Sequence, residues 1–173
     1  MKNLLAILLI GLMGCNSYKK LINADTDPSV PPIVNEAQPI KQMILVGMPG
    51  QSNLLGRGEN TEYPNHSRVT LTRDIRTGPA YYAASLLADA HPDWHVTLVQ
   101  CAEGGVSIEA WVPGSFLYER CVTETKAVKA ATGGEVIGIF AYQGEANARG
   151  WATFSHDWPD KFELIVESFR TAI

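Results

Sequence analysis

Met43-Ile44-Leu45-Val46-Gly47-Met48 runs without a polar break into Pro49-Gly50-Gln51-Ser52-Asn53. A continuous apolar run closed by Pro-Gly describes a strand covered on both faces; a strand with one wet face alternates instead. Two further runs read the same way. His95-Val96-Thr97-Leu98-Val99-Gln100 is rich in β-branched residues and bounded by Pro92 and by Gly104-Gly105. Glu135 to Tyr142, with Val136-Ile137-Gly138-Ile139-Phe140 inside it, reads as a third buried strand. Helical segments separate them. Ala80–Ala90 follows Gly78-Pro79, with proline near its start. Ser115–Ala131 stops at Gly133-Gly134, a helix C-cap. Asp157–Ala172 places Phe162, Ile165, Val166 and Phe169 on one face. Buried strands separated by helices predict an α/β fold, a three-layer α/β/α sandwich around a parallel sheet.

In such sheets ligands bind beyond the carboxyl ends of the strands, and the glycine-rich polar stretches fall at those ends. After the first strand, Ser52 sits beside a glycine that permits a sharp turn, so its hydroxyl can stand above the sheet. The second glycine of a nucleophile elbow is absent, since position 54 is Leu. Ser52 equally fits a turn or helix-capping serine. After the second strand, Gly104-Gly105 would let backbone N–H groups approach a ligand, as in an oxyanion hole, or would form a plain loop. After the third, Gln143 could donate its amide to an oxyanion and Glu145 could orient a partner or the substrate. That stretch also fits a polar loop with a helix N-cap at Asn147.

Taken in order, Gly50-Gln51-Ser52-Asn53, Gly78-Pro79, Ala102 with Gly104-Gly105 through Trp111, and Gln143-Gly144-Glu145-Ala146 resemble the sialate O-acetylesterase-like branch of the SGNH hydrolases. That branch includes carbohydrate acetylesterases acting on xylan and on sialic acids. The resemblance implies an SGNH/flavodoxin-like sheet and a carboxylic ester hydrolase that removes acetyl groups from carbohydrate. Ser52 would be the nucleophile of an acyl-enzyme. The backbone N–H groups of Ser52 and of Gly105 or Gly104, with the Gln143 side chain, would hold the oxyanion. Glu145 joins the catalytic set, and Gln51, Asn53, Gly104 and Trp111 the substrate-binding set. No cofactor and no metal are implied, because a serine triad supplies nucleophile and proton shuttle itself.

The pattern breaks at the base. The family carries a late Asp-x-x-His before the final helix, and this sequence contains none. His66 lies in a polar loop, His91 and His95 flank the entry to the second strand, and only His156 falls on the catalytic side. The expectation is a chain lacking its last strand and helix, exposing a sheet edge and nearly inert without its base. A non-catalytic carbohydrate-binding surface lipoprotein, with Trp111, Tyr142 and Trp151 stacking on sugars, or an inactive fragment, is the alternative.

The first residues stand apart from the fold. Lys2, the apolar run Leu4–Gly14 and then Cys15 form a signal-peptide pattern too short to span a bilayer as a mature helix. Leu12-Met13-Gly14-Cys15 resembles a bacterial lipobox. That resemblance implies cleavage before Cys15, lipid attachment to it and anchoring in the cell envelope, with Asn16 favouring the outer membrane; plain secretion is the alternative. The expected organisation is a signal peptide over 1–14, a lipidated Pro/Asn/Asp/Ser-rich tether over 15–41 and the hydrolase-like domain over 42–173. Losing Lys2, the one charged side chain before Cys15, takes the net charge from −4 to −5. No basic cluster exceeds Lys19-Lys20, which argues against nucleic acid as a partner. Export places Cys101 and Cys121 where a disulfide is allowed, but spacing alone does not decide whether they pair.

Overall fold

The structure is a computed structural model that describes residues 39–56, 63–73, 78–149 and 157–173. The signal peptide, Cys15, most of the tether, Trp151 and His156 lie outside the described residues. Four strands form one parallel sheet: β1 (Lys41–Gly50), β2 (Val69–Leu71), β3 (Trp94–Gln100) and β4 (Glu135–Tyr142), in the order β2-β3-β1-β4. The helices are α1 (Ser52–Leu55), α2 (Pro79–Ala90), α3 (Phe116–Thr132), α4 (Glu145–Ala148) and α5 (Trp158–Ala172), with a 3₁₀ turn at Ile108–Trp111.

The central strand shows why its sequence does not alternate. Successive side chains of β1 point to opposite faces, and each face has its own core. Ile44, Val46 and Met48 pack with Leu117, Cys121 and Val122 of α3 and Ile165 and Phe169 of α5. Met43 and Leu45 pack with Leu54 and Leu55 of α1 and Ala80, Tyr81, Ala84 and Ala88 of α2. All eight residues from Met43 to Gly50 are buried. Two helical layers around one parallel sheet make the three-layer sandwich that the sequence predicts.

Three expectations change. The short strand β2 is a fourth strand beyond the three read from the sequence; its Val69 pairs with Val96. β4 is not buried like β1: it forms the edge of the sheet and is half-exposed along its length. Its apolar run reflects cores reaching it from both faces, with Ile139 on one and Phe140 on the other, but among the described residues no strand covers its outer side. The helix boundaries hold: Ser115 Oγ caps α3 by accepting from Tyr118 N, and Gly133 closes it at φ 65°. Asn147, however, is no N-cap. Gly144 occupies that position, and Asn147 lies buried inside α4.

Candidate active site

Ser52 opens α1, and α1 is fixed from below by groups that leave it little freedom. Leu54 and Leu55 are buried. Gly78 passes so close that a Cβ there would lie 2.5 Å from the Leu54 carbonyl oxygen. The missing side chain of Gly47 makes room for buried Gln100, whose Nε2 donates to that same carbonyl at 3.2 Å. Among the described residues the partly buried Ser52 side chain has no hydrogen-bond partner. A fixed backbone with an uncommitted hydroxyl is what a nucleophile requires and what a capping serine is not.

The three strand ends converge. Glu103 N donates to Gly50 O at 3.2 Å, tying the loop after β3 to the turn after β1. Ala146 N donates to Gln51 Oε1 at 3.1 Å and Asn53 Nδ2 to Glu145 Oε1 at 2.5 Å, tying that turn to α4. Gln143 Nε2 donates to Val106 O at 3.2 Å, and Ile108 N to Asn147 Oδ1 at 3.0 Å, joining the loops after β3 and β4. A cleft of about 480 Å³ opens beside them, lined by Tyr142, Gln143, Gly144, Glu145, Trp158 and Phe162 among others; Ser52 does not line it.

Several of the residues picked out from the sequence take roles other than those expected. Gln51 is 5% exposed and its carboxamide oxygen is spent on α4, so it is a clamp between loops and not a substrate contact. Trp111 is fully buried in the α3/α5 core, which removes it from sugar stacking. Asn53 is exposed but engaged with Glu145. Glu145 has a second carboxylate oxygen that is buried without a hydrogen-bond partner. Gly105 is exposed at φ 74°, with open space where a side chain would stand, and Gly104 is partly buried beside it. Gln143 is fully occupied: Trp158 Nε1 donates to its oxygen at 2.9 Å, and its Nε2 donates to Val106 O and, at 3.3 Å, to Asn147 Oδ1. To hold an oxyanion it must exchange one of those two long bonds.

Sequence reasoning missed the groups that brace this arrangement. Glu109 accepts from Lys161 Nζ and from Asn147 Nδ2, both at 3.1 Å. Burial pushes its pKa up, but the Ser107 hydroxyl, its own backbone amide, Lys161 and Asn147 outweigh that and hold it at about 2. Asp157 and Glu109 in turn raise Lys161. Only the i, i+4 spacing of Gln143 and Asn147 hints at this in the sequence. Cys101, just past β3, forms a disulfide with Cys121 of α3, Cα to Cα 5.5 Å. Arg120 Nη2 donates to Cys101 O at 2.7 Å and Arg73 Nη1 to Ala102 O at 3.0 Å, so the root of the glycine loop is held from two sides.

The described histidines belong to the opposite end of the sheet. His66 Nε2 pairs with Asp89 at 3.0 Å, His95 Nε2 with Thr70 Oγ1 at 2.8 Å, and His91 stacks on Trp94 at 3.8 Å. None belongs to the loops around Ser52.

A serine hydroxyl, paired glycines and a Gln-Gly-Glu stretch stand at adjoining strand ends of a parallel α/β/α sheet, an architecture consistent with an SGNH-like three-layer fold. Comparison with known proteins narrows the class. Residues 60–173 match the profile of the family described as carbohydrate esterase, sialic acid-specific acetylesterase, and the chain belongs to that family. The match begins after Ser52. An Arabidopsis thaliana relative named "Probable carbohydrate esterase At4g34215" is 29% identical over 154 aligned residues, covering 67% of this chain. The chain spans 58% of that relative's length. The solved structure of the Arabidopsis thaliana protein AT4G34215 superposes with a TM-score of 0.62 at 21% identity, over 78% of this chain and 69% of that one, which shows the shared fold.

Proposed function

We propose that this chain is a serine ester hydrolase, with Ser52 as nucleophile, that deacetylates carbohydrate, with sialate or xylan O-acetyl esters as the substrate class. The observation that carries the reading is the uncommitted Ser52 hydroxyl at the point where three strand ends are tied together. Ser52 Oγ attacks the acetyl carbon, and the carbohydrate oxygen leaves with the proton. Water then hydrolyses the acetyl-enzyme. The N–H groups of Ser52 and Gly105, and Gln143 after it releases one acceptor, receive the oxyanion. Glu145 holds Asn53 beside the nucleophile. The family supports the carbohydrate ester; the convergence of loops supports the residue roles.

The general base is a residue other than His66, His91 and His95, which are committed elsewhere. Cys15 carries the lipid that holds the protein to the bacterial cell envelope; among the described residues no helix is long and apolar enough to cross a membrane.

Incubation with an aryl acetate, followed by intact mass spectrometry and by assay of released acetate, tests the reading. The expected result is an acetyl adduct on Ser52, absent in Ser52→Ala, whose rate falls by about 10³-fold or more. Acetate release unchanged by Ser52→Ala would overturn it.

A further inference from the structure

Asn147 stands where the two loops that flank Ser52 are joined, and it is 6% exposed. Its Oδ1 accepts from Ile108 N at 3.0 Å and from Gln143 Nε2 at 3.3 Å. Its Nδ2 donates to both carboxylate oxygens of Glu109, at 3.1 and 3.5 Å. A carboxylate can only accept, so Glu109 forces the amide nitrogen toward itself and the amide oxygen toward Ile108 and Gln143. Lys161 holds Glu109 from α5 at 3.1 Å. The chain of partners is thus polarised in one direction: Lys161 to Glu109, Glu109 to Asn147, Asn147 to Gln143 and the Ile108 amide.

We propose that Asn147 is a positioning residue, locked in one orientation by Glu109 and Lys161, that sets the direction of the Gln143 carboxamide and the placement of the Val106–Ile108 backbone leading from Gly104-Gly105. The catalytic consequence rests on the Ser52 reading; the structural consequence does not. Turning the Asn147 amide over would present its N–H₂ to the Ile108 N–H and to the Gln143 amide, leaving donors facing donors. Gln143 would then lose an acceptor, and the loop carrying Gly105 would lose its anchor at Ile108. A residue that only filled space would tolerate any substitution that kept the volume. A residue that sets direction requires the pattern of donors and acceptors, and that pattern can be inverted at one end and restored at the other.

The test swaps the pattern. Asn147→Asp keeps size and shape but faces Glu109 with a second carboxylate. Asn147→Asp combined with Glu109→Gln puts the donor on residue 109 and the acceptor on residue 147. Each protein is treated with a fluorophosphonate probe, from which Ser52 Oγ displaces fluoride to form a P–O bond, and labelling is timed by mass spectrometry. Asn147→Asp labels more slowly by about 10- to 100-fold, as expected when one oxyanion donor is lost or misaimed, and the double variant returns to within about threefold of the parent. In ¹H–¹⁵N spectra the Gly104, Gly105 and Gln143 side-chain signals move in Asn147→Asp and return in the double variant. Labelling and spectra unchanged in Asn147→Asp, or a double variant no better than the single one, would overturn the proposal. A parent that does not label at Ser52 would count against the Ser52 reading, and the spectra alone would then decide the role of Asn147. Should Asn147→Asp fail to fold, Glu109→Gln carries the test: it frees the amide to turn over, and unmoved Gly105 and Gln143 signals would sink the idea.

Discussion

The two ends of the sheet are built on different terms. At the amino end, polar side chains are paired locally and completely enough to act as scaffolding. Arg68 alone donates to the carbonyls of Ala88, His91 and Trp94; His66 meets Asp89, His95 meets Thr70, and Lys41 meets Asp93. At the carboxyl end, groups are held in place yet left short of partners. The Ser52 hydroxyl is free among the described residues and one oxygen of Glu145 is buried without a partner, while the Gln143 amide, though fully paired, relies on two long bonds. Buried polar groups are ordinarily satisfied, so the shortfall sets this end apart and fits the site proposed there.

The contrast can be broken by experiment, and the largest effect belongs to the carboxyl end. Gln143→Ala should slow acylation of Ser52 by about 10²–10³-fold, the usual loss for one oxyanion donor. A change under threefold, measured by the rate of acetyl-adduct formation, would take Gln143 out of the hole. Removing the disulfide comes next. Cys101 and Cys121 close a loop of 20 residues, and replacing both with serine should cost about 3 kcal/mol in urea unfolding. The same change should slow acylation, because Cys101 roots the glycine loop; equal rates per folded molecule would make the disulfide purely structural.

A smaller effect concerns acid. Glu109 has its folded pKa lowered from 4.5 to about 2. It therefore contributes stability that is present above pH 4.5 and is lost as pH falls from there toward 2. Its carboxylate is partly exposed, so solvent screens the gain to below about 1 kcal/mol. Glu109→Gln should flatten the acid limb of a melting-temperature profile within that window, and an unchanged limb would mean the bonds to Lys161 and Asn147 contribute nothing. The smallest effect is expected at the amino end. His95→Ala should leave acylation of Ser52 unchanged within about twofold and shift stability by about 0.5 kcal/mol or less, as surface substitutions do. A large loss of rate there would end the division between the two ends.

Much of this organisation is visible in consecutive residues. The apolar run of β1, the proline and glycine punctuation of α2 and α3 and the one-faced pattern of α5 record local preferences and the need to cover both faces of a sheet. The positions of Ser52, Gly104-Gly105 and Gln143 follow as well, because glycine and polar residues collect where buried strands end. Gln51 and Trp111 show the limit. Both stand inside motif-like stretches, and each turned inward because a neighbour distant in sequence offered a better place: α4 for the Gln51 oxygen, the α3/α5 core for the indole.

The sequence alone determined the class of fold, the order of its three long strands and three long helices and which strand ends carry reactive residue types, since these depend on hydrophobic periodicity and backbone freedom within a few residues. Only the tertiary structure decided that β4 is an edge, that Cys101 meets Cys121, and that Asn147 links Glu109 to Gln143. Those outcomes depend on groups far apart in the chain: 20 residues between the cysteines, 38 between Glu109 and Asn147, and β1 against β4, Met43 beside Glu135. Hydrogen bonds and disulfides require positions correct to within an ångström or so, and packing of the whole molecule sets those positions.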